Sequence, residues 1–309
     1  MQSGETPVPA SGGTKKRKQM DDLHKDSNIK DYHVHVEGGT NILTLNLREL
    51  WRYRDLILLF TKRTLTLMYK QTILGPLWLI LNPLFTSVVY AAVFRGIAGI
   101  STEGSPALLF YLTSHSLWNL FATSLKRNSS TFVSNANIFG KVYFPRLTIS
   151  ISSMLTSLVE FLVEFAMIFV MLLWYLGKGQ VSPRWDLMWL LPVVLLQTGL
   201  IGLGLGVLVS SLTTKYRDLT FVVDFGVSLW MYATPVVYPF SQLQNVNLMY
   251  RVMLLNPMTV PMELFRLIIL GRGTIAPLSV LFSAVFTLAA LLGGMLAFNR
   301  VERSFIDTI

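Results

Sequence analysis

The sequence predicts an all-α membrane protein with six transmembrane helices. Three observations carry this. Hydrophobic residues make up 52% of the 309 residues and charged residues only 14%, against about 25% charged in an ordinary soluble domain. The charge is unevenly placed, with much of it ahead of residue 71. Beyond that point, apolar runs recur at or above the ~20 residues that a helix needs to cross a bilayer.

The same composition excludes several functions. A net charge of +9 distributed so unevenly is a poor sign of nucleic-acid binding. The absence of Cys rules out disulfides, thiol chemistry and Cys-ligated metal. His24, His33 and His35 lie in the polar N-terminal region, and His115 stands alone in an apolar run. No Ser-His-Asp set, metal cluster or nucleophile motif stands out. There is no G-x-x-x-x-G-K-[ST] run, so the chain carries no P-loop of its own.

Residues 1–40 are rich in Gly, Pro, Ser and charge, with the run Lys15-Lys16-Arg17-Lys18 and no apolar stretch after it. They read as a disordered cytoplasmic tail rather than a signal peptide. Residues 41–70 read as an amphipathic interface helix. Leu50, Tyr53, Ile57, Phe60, Thr64 and Leu67 recur at helical spacing, while Arg48, Arg52, Asp55 and Lys62 fall on another face. Trp51 and Tyr53 suit headgroup depth.

Residues 71–300 hold the six spans, over 71–94, 104–125, 147–176, 187–214, 219–238 and 273–299. The first has Gly75-Pro76 at its start and Asn82-Pro83 inside. The fourth carries Gly202, Gly204 and Gly206, small residues that let helices approach closely. Residues 301–309 form a cytoplasmic C-terminus. With both termini inside, 20 Lys and Arg face the cytoplasm and six face out, as the positive-inside rule requires.

Two connecting segments are unusual. Residues 126–146 form a basic loop with no acid. Ser134-Asn135 can cap a short helix there, and Ile138, Phe139, Val142 and Tyr143 would give it an apolar stripe. That stripe would lie on lipid headgroups or dock to a soluble partner. Residues 239–272 are too long for a turn and too broken for a span. Pro257 and Pro261 interrupt them, and Arg251, Glu263 and Arg266 charge them. They read as two short helices dipping into the outer leaflet beside a pathway.

Few residues suggest chemistry. Glu160 and Glu164 lie one turn apart in the third span, as a proton relay or as two carboxyls satisfied within the bundle. Asp224 would pair with nearby Lys215 or Arg217. The aromatics Trp78, Phe85, Tyr90, Phe94, Phe225, Trp230, Tyr232 and Tyr238 run along spans one and five. Their faces can bind sugars, or can simply pack.

From Leu47 to Arg300 the chain resembles the membrane subunit of type-2 ABC exporters, in the branch that exports O-antigen, capsule or teichoic-acid polymers. Gly75-Pro76, the loop SNANIFGKVYFPR from Ser134 to Arg146, Lys215-Tyr216-Arg217-Asp218, Pro235-Val236-Val237-Tyr238-Pro239, Asn256-Pro257, Phe265-Arg266 and Gly271 carry the likeness, in that order. The resemblance implies a permease that is not itself an enzyme and holds no cofactor. ATP and Mg²⁺ belong to a separate ATPase subunit, in a 2+2 complex with a homodimer of permeases. The substrate implied is a lipid-pyrophosphate-linked polysaccharide, carried across the bacterial inner membrane.

The resemblance also implies residue roles. Asn135, Asn137, Ile138, Phe139, Lys141, Tyr143 and Arg146 become ATPase contacts on a cytosolic coupling helix. Phe85, Tyr90, Phe225, Trp230 and Tyr232 become the wall of a substrate channel. Pro239, Asn256, Pro257 and Arg266 become a gate of re-entrant extracytoplasmic helices. Two other readings compete. One is an exporter of the same type for a drug or small lipid. The other is a membrane enzyme acting on lipid-linked sugars, for which only Glu160 and Glu164 are available.

Overall fold

The computed structural model describes residues 47–70, 73–135, 138, 144–213, 216, 218–243 and 247–306. The regular structure among them is entirely helical. Helix α1 covers Leu47–Arg52 and α2 covers Arg54–Tyr69. A 3-10 turn at Gly75–Leu77 enters α3, Trp78–Tyr90, which runs on into a π-helical stretch, Ala91–Ile97. Helix α4 spans Ala107–Ser129, with one further helical turn at Thr131–Ser134. Helix α5 spans Leu147–Gly177, and a 3-10 segment, Trp185–Leu190, leads into α6, Leu191–Thr213. Then follow α7, Leu219–Tyr232, α8, Asn247–Leu254, α9, Thr259–Leu270, and α10, Pro277–Ile306.

By length and composition, four stretches can cross a membrane. These are Gly75–Ile97, Leu147–Gly177, Trp185–Thr213 and Pro277–Arg300. Leu248–Leu254 and Thr259–Leu270 qualify together as a fifth, bent by 87° at their break. The expected second and fifth spans do not qualify alone, for different reasons. Helix α4 is too polar, and α7 has 14 residues, about 21 Å of helix against a hydrocarbon core of ~30 Å.

Helix α4 is nevertheless the core of the molecule. It packs most extensively on α6 and α5, and also touches α3, α9 and α7. Leu109, Tyr111, Leu112, Leu117 and Phe121 are fully buried along it. Several of its hydroxyls bond back to its own backbone, while Ser124 Oγ donates to the Gly199 carbonyl of α6 at 3.2 Å. Thr113 donates to the Leu109 carbonyl at 2.7 Å and Ser114 to the Phe110 carbonyl at 2.9 Å. Polar side chains are tolerated on such a helix where protein rather than lipid surrounds them and hydrogen bonds satisfy them.

The glycine run of α6 sets the closest contacts. A Cβ at Gly202 would lie 2.8 Å from the Phe121 carbonyl oxygen, and one at Gly206 would lie 2.6 Å from that of Leu125, both on α4. Gly204 points the other way, onto the backbone of Ala290 and Leu291 in α10. Alternate glycines thus seat α6 between two helices at backbone contact.

Several boundaries differ from expectation. The interface helix breaks at Tyr53, whose φ of −92° and ψ of 15° separate α1 from α2. Its stripe faces inward, with Ile57 buried and Phe60 5.7 Å from Phe144 between ring centres, while Leu67 is exposed. The loop expected from residue 126 begins later, because α4 continues to Ser129 and makes Lys126 and Arg127 helical. Ser134 and Asn135 end a helical turn, and most of the short helix expected after them lies outside the described residues, Ile138 excepted. The Asn135 backbone N–H donates to the Thr131 carbonyl at 3.2 Å, and its side-chain Nδ2 to the same oxygen at 3.0 Å. Helix α10 continues past residue 300 to Ile306, while its candidate span ends at Arg300. The tail, 1–40, lies outside the described residues.

Candidate functional site

Polar side chains concentrate at the two ends of α4. The first cluster lies where α7 gives way to α8 and α9. Glu263 and Arg266 are three apart on α9, so they share a face. Arg266 is 1% exposed yet fully engaged. Its Nε donates to Ser114 Oγ of α4 at 2.8 Å, and its Nη1 to Glu263 Oε1 at 2.8 Å and to the Tyr238 carbonyl at 3.3 Å. Its Nη2 donates to the Pro235 and Val236 carbonyls, and the guanidinium sits 4.2 Å over the Phe110 ring. Glu263 also accepts from the backbone N–H of Phe240 at 3.3 Å and of Thr274 at 3.0 Å.

Asn256, at the break between α8 and α9, stitches the same segment. Its Nδ2 donates to the Ala233 carbonyl at 2.7 Å and to Thr234 Oγ1 at 2.9 Å, and its Oδ1 accepts from Met258 N–H at 3.0 Å. Ser283 of α10 donates to the Pro257 carbonyl at 2.6 Å. Pro239 accepts from Gln242 N–H at 3.3 Å within the same turn. Pro239, Asn256, Pro257 and Arg266 therefore come together, clamping residues 233–240 onto α9 and α4. Gly271 closes α9 in the left-handed conformation, with φ 71°, and a Cβ there would lie 2.0 Å from the Ser182 carbonyl oxygen.

The second cluster lies at the opposite end of α4. Arg127 donates to Glu160 Oε1 at 2.7 Å and to Ser157 Oγ at 2.9 Å, both on α5. Its Nη2 lies 3.8 Å from the Met68 sulfur on α2. Toward the middle of α4, Asn119 donates to Glu164 Oε1 at 2.8 Å. Glu160 thus has the basic partner that the apolar runs did not reveal, whereas Glu164 is bonded through Oε1 alone and its buried Oε2 has no hydrogen-bond partner among the described residues. Lys126, the next residue round α4, pairs with Asp224 Oδ1 of α7 at 3.4 Å. Sequence proximity had pointed to Lys215 or Arg217, which lie outside the described residues.

The aromatic set divides. Tyr90 packs on Tyr111 and His115 of α4, at 6.2 and 5.7 Å between ring centres, and its hydroxyl lies 3.5 Å from the Met231 sulfur. Trp230 packs edge-on against Trp118 and Phe121, at 6.5 and 5.2 Å. These two rings serve the interior. Phe85, Phe225 and Tyr232 are each more than half exposed. Phe85 shares one face of α3 with exposed Trp78, Asn82 and Val89. Phe225 and Tyr232 share one face of α7 with exposed Phe221 and Ser228, and Asp224 adjoins it.

Of the expected ATPase contacts, three are described. Asn135 closes the helical turn, Ile138 N–H donates to the Asn135 carbonyl at 2.9 Å, and Arg146 is buried just before α5. Asn137, Phe139, Lys141 and Tyr143 lie outside the described residues. Sequence reasoning passed over Arg127, Ser114 and the Glu263 carboxylate as partners. The i,i+3 spacing of Glu263 and Arg266 was the available signal for one of them.

Residues 55–270 match the family described as ABC-2 type transporter. The chain is 30% identical over 212 residues to the O-antigen export system permease protein RfbA of Myxococcus xanthus, covering 69% of this chain and 79% of that one. It is 27% identical over 184 residues to the O-antigen export system permease protein RfbA of Klebsiella pneumoniae, covering 60% of this chain and 69% of that one. With a family match that spans more than half of its length, and helices arranged as above, the chain belongs to the ABC-2 type transporter family.

Proposed function

We propose that this chain is the membrane-spanning permease subunit of an ATP-driven exporter of lipid-linked polysaccharide. The relatives named for O-antigen export supply the substrate class. The observation that carries a translocation path is the outward face of α7. There an exposed carboxylate, Asp224, adjoins Phe221, Phe225, Ser228 and Tyr232. Ionisable residues within membrane helices face protein or a water-filled cavity rather than lipid. A sliding polymer needs many shallow contacts, which aromatic faces supply. Phe85, Phe225 and Tyr232 are the wall residues in this reading, with Tyr90 and Trp230 as their buttresses.

The finer architecture follows from the same reading. The chain crosses the inner membrane six times, with α4 and α7 as spans that rely on protein neighbours, and both termini are cytoplasmic. The hairpin α8–α9 with residues 233–240 forms the extracytoplasmic gate. Two permeases form the channel, and each carries an ATPase subunit that binds ATP and Mg²⁺ and meets residues 130–146. The lipid carrier is linked through pyrophosphate.

Reconstitution with the cognate ATPase tests the function. Proteoliposomes given lipid-linked glycan and ATP should move glycan across the bilayer in a hydrolysis-dependent way. Transport of short-chain lipids or drugs without glycan transport would shift the substrate class. Covalent change to the glycan without translocation would replace a permease with an enzyme.

A further inference from the structure

The loop end of α4 carries two adjacent basic residues with different neighbours. Successive helical positions point about 100° apart, so Lys126 and Arg127 reach different neighbours, α7 and α5. Arg127 is 22% exposed and holds a 6% exposed Glu160 on α5 at 2.7 Å. Ser157 adds a second bond to the same helix, and Met68 of α2 lies alongside. A parallel link ties α2 to α5, where Thr61 Oγ1 donates to Ser152 Oγ at 3.2 Å. The Lys126–Asp224 pair differs in kind. It is a single contact at 3.4 Å between side chains 36% and 59% exposed, and it reaches α7.

The chain just beyond is tied down as well. Thr213 of α6 donates to the Ser129 carbonyl at 2.6 Å, and Phe132 stacks on Phe298 of α10 at 4.6 Å. Helix α7 differs in its burial at this end. Its first seven residues, 219–225, are none of them buried. One side of the fork is therefore a multiply bonded anchor, and the other is a partly exposed ion pair to a helix whose first seven residues are not buried.

We propose that Lys126 and Asp224 are coupling residues for export, with Arg127–Glu160 as the fixed pivot. In this arrangement, a push on residues 130–146 turns the end of α4 about its anchor on α5. Lys126 then carries the displacement to Asp224 and so to α7, whose outer face bears Phe225 and Tyr232. The proposal rests on the reading of residues 130–146 as the ATPase contact and of α7 as channel wall. An exposed pair of this kind contributes little to folding, so a strong effect on export from its loss would not be an effect on stability.

The test uses the complete permease–ATPase complex in proteoliposomes, measuring ATP hydrolysed and glycan translocated together. Lys126→Glu and Asp224→Lys should each leave assembly and melting temperature unchanged. Each should raise the ATP consumed per glycan exported about fivefold, the lower end of usual coupling strengths. The double reversal, Lys126→Glu with Asp224→Lys, should restore the ratio. An unchanged ratio in both single variants overturns the proposal, as does a double variant no better than the singles. A control separates this from the underlying reading. Phe139→Asp should lose the ATPase on co-purification, and if it keeps both ATPase and export, the reading of the loop has failed instead.

Discussion

Replacing Arg266 should be among the costliest single changes in this protein. Arg266→Met would leave Glu263 buried with only the N–H groups of Phe240 and Thr274. Breaking a buried ion pair in this way costs about 3–5 kcal/mol. The Pro235, Val236 and Tyr238 carbonyls and Ser114 would lose their donor too, at roughly 1 kcal/mol each where no water replaces it. Contributions within one network do not add fully, so the expected loss is about 5 kcal/mol. Arg266→Lys keeps the charge but offers three donors from one point in place of a planar fork, and should cost roughly 2 kcal/mol. Adding Glu263→Gln to Arg266→Met removes the stranded charge, so the double variant should cost at least ~1 kcal/mol less than the sum of the singles. Equilibrium unfolding in mixed micelles, followed by tryptophan fluorescence, measures all four. A loss under about 1 kcal/mol for Arg266→Met, or strict additivity in the cycle, would refute the clamp.

Three further predictions follow from the packing. Gly206→Ala forces a Cβ against the Leu125 carbonyl and should cost about 1–3 kcal/mol, whereas Gly226→Ala, with open space around it, should stabilise by up to ~1 kcal/mol; the same unfolding assay compares them. Tyr90→Ala and Trp230→Ala should each lower stability by about 3 kcal/mol, while Phe85→Ala, Phe225→Ala and Tyr232→Ala together should slow export and leave melting unchanged, which transport and thermal denaturation read in parallel. Glu164→Gln keeps an acceptor for Asn119 and should cost at most ~1 kcal/mol, while Glu160→Gln takes the partner charge from Arg127 and should cost about 2 kcal/mol, again by unfolding.

The apolar runs of α3, α5, α6 and α10 could be read directly, because each meets lipid or core along most of its length and must be continuously hydrophobic. The role of the α6 glycines was equally open to reading, since a charge-free helix leaves small residues only a packing use. The break before α9 was visible in Pro257, and Pro261 fits in the first turn of α9, where a missing N–H costs nothing. What the sequence hid was direction. Phe85 and Tyr90 look alike in an apolar run, and no polar counterface tells which points inward. Partners far apart in the chain were hidden for the same reason. Arg127 and Glu160 are 33 residues apart, and Arg127 looked like a loop residue because its helix runs one turn past the apolar stretch.

The polarity of α4 also bears on how the molecule is made. Its Ser114, His115, Ser116, Asn119, Ser124 and Asn128 find their surroundings in α3, α5, α6 and α9, and three of those helices follow it in the chain. Lipid alone retains such a segment poorly, since side chains of this kind oppose insertion. With α4 as a span, the reading proposed above, it has to wait in the insertion machinery, or beside it, until α5 and α6 emerge to shield it. A nascent chain ending near Ser129 should slip back out of the bilayer, and one extended through Thr213 should stay. The helix at the centre of the finished bundle is among the last to be secured during its birth.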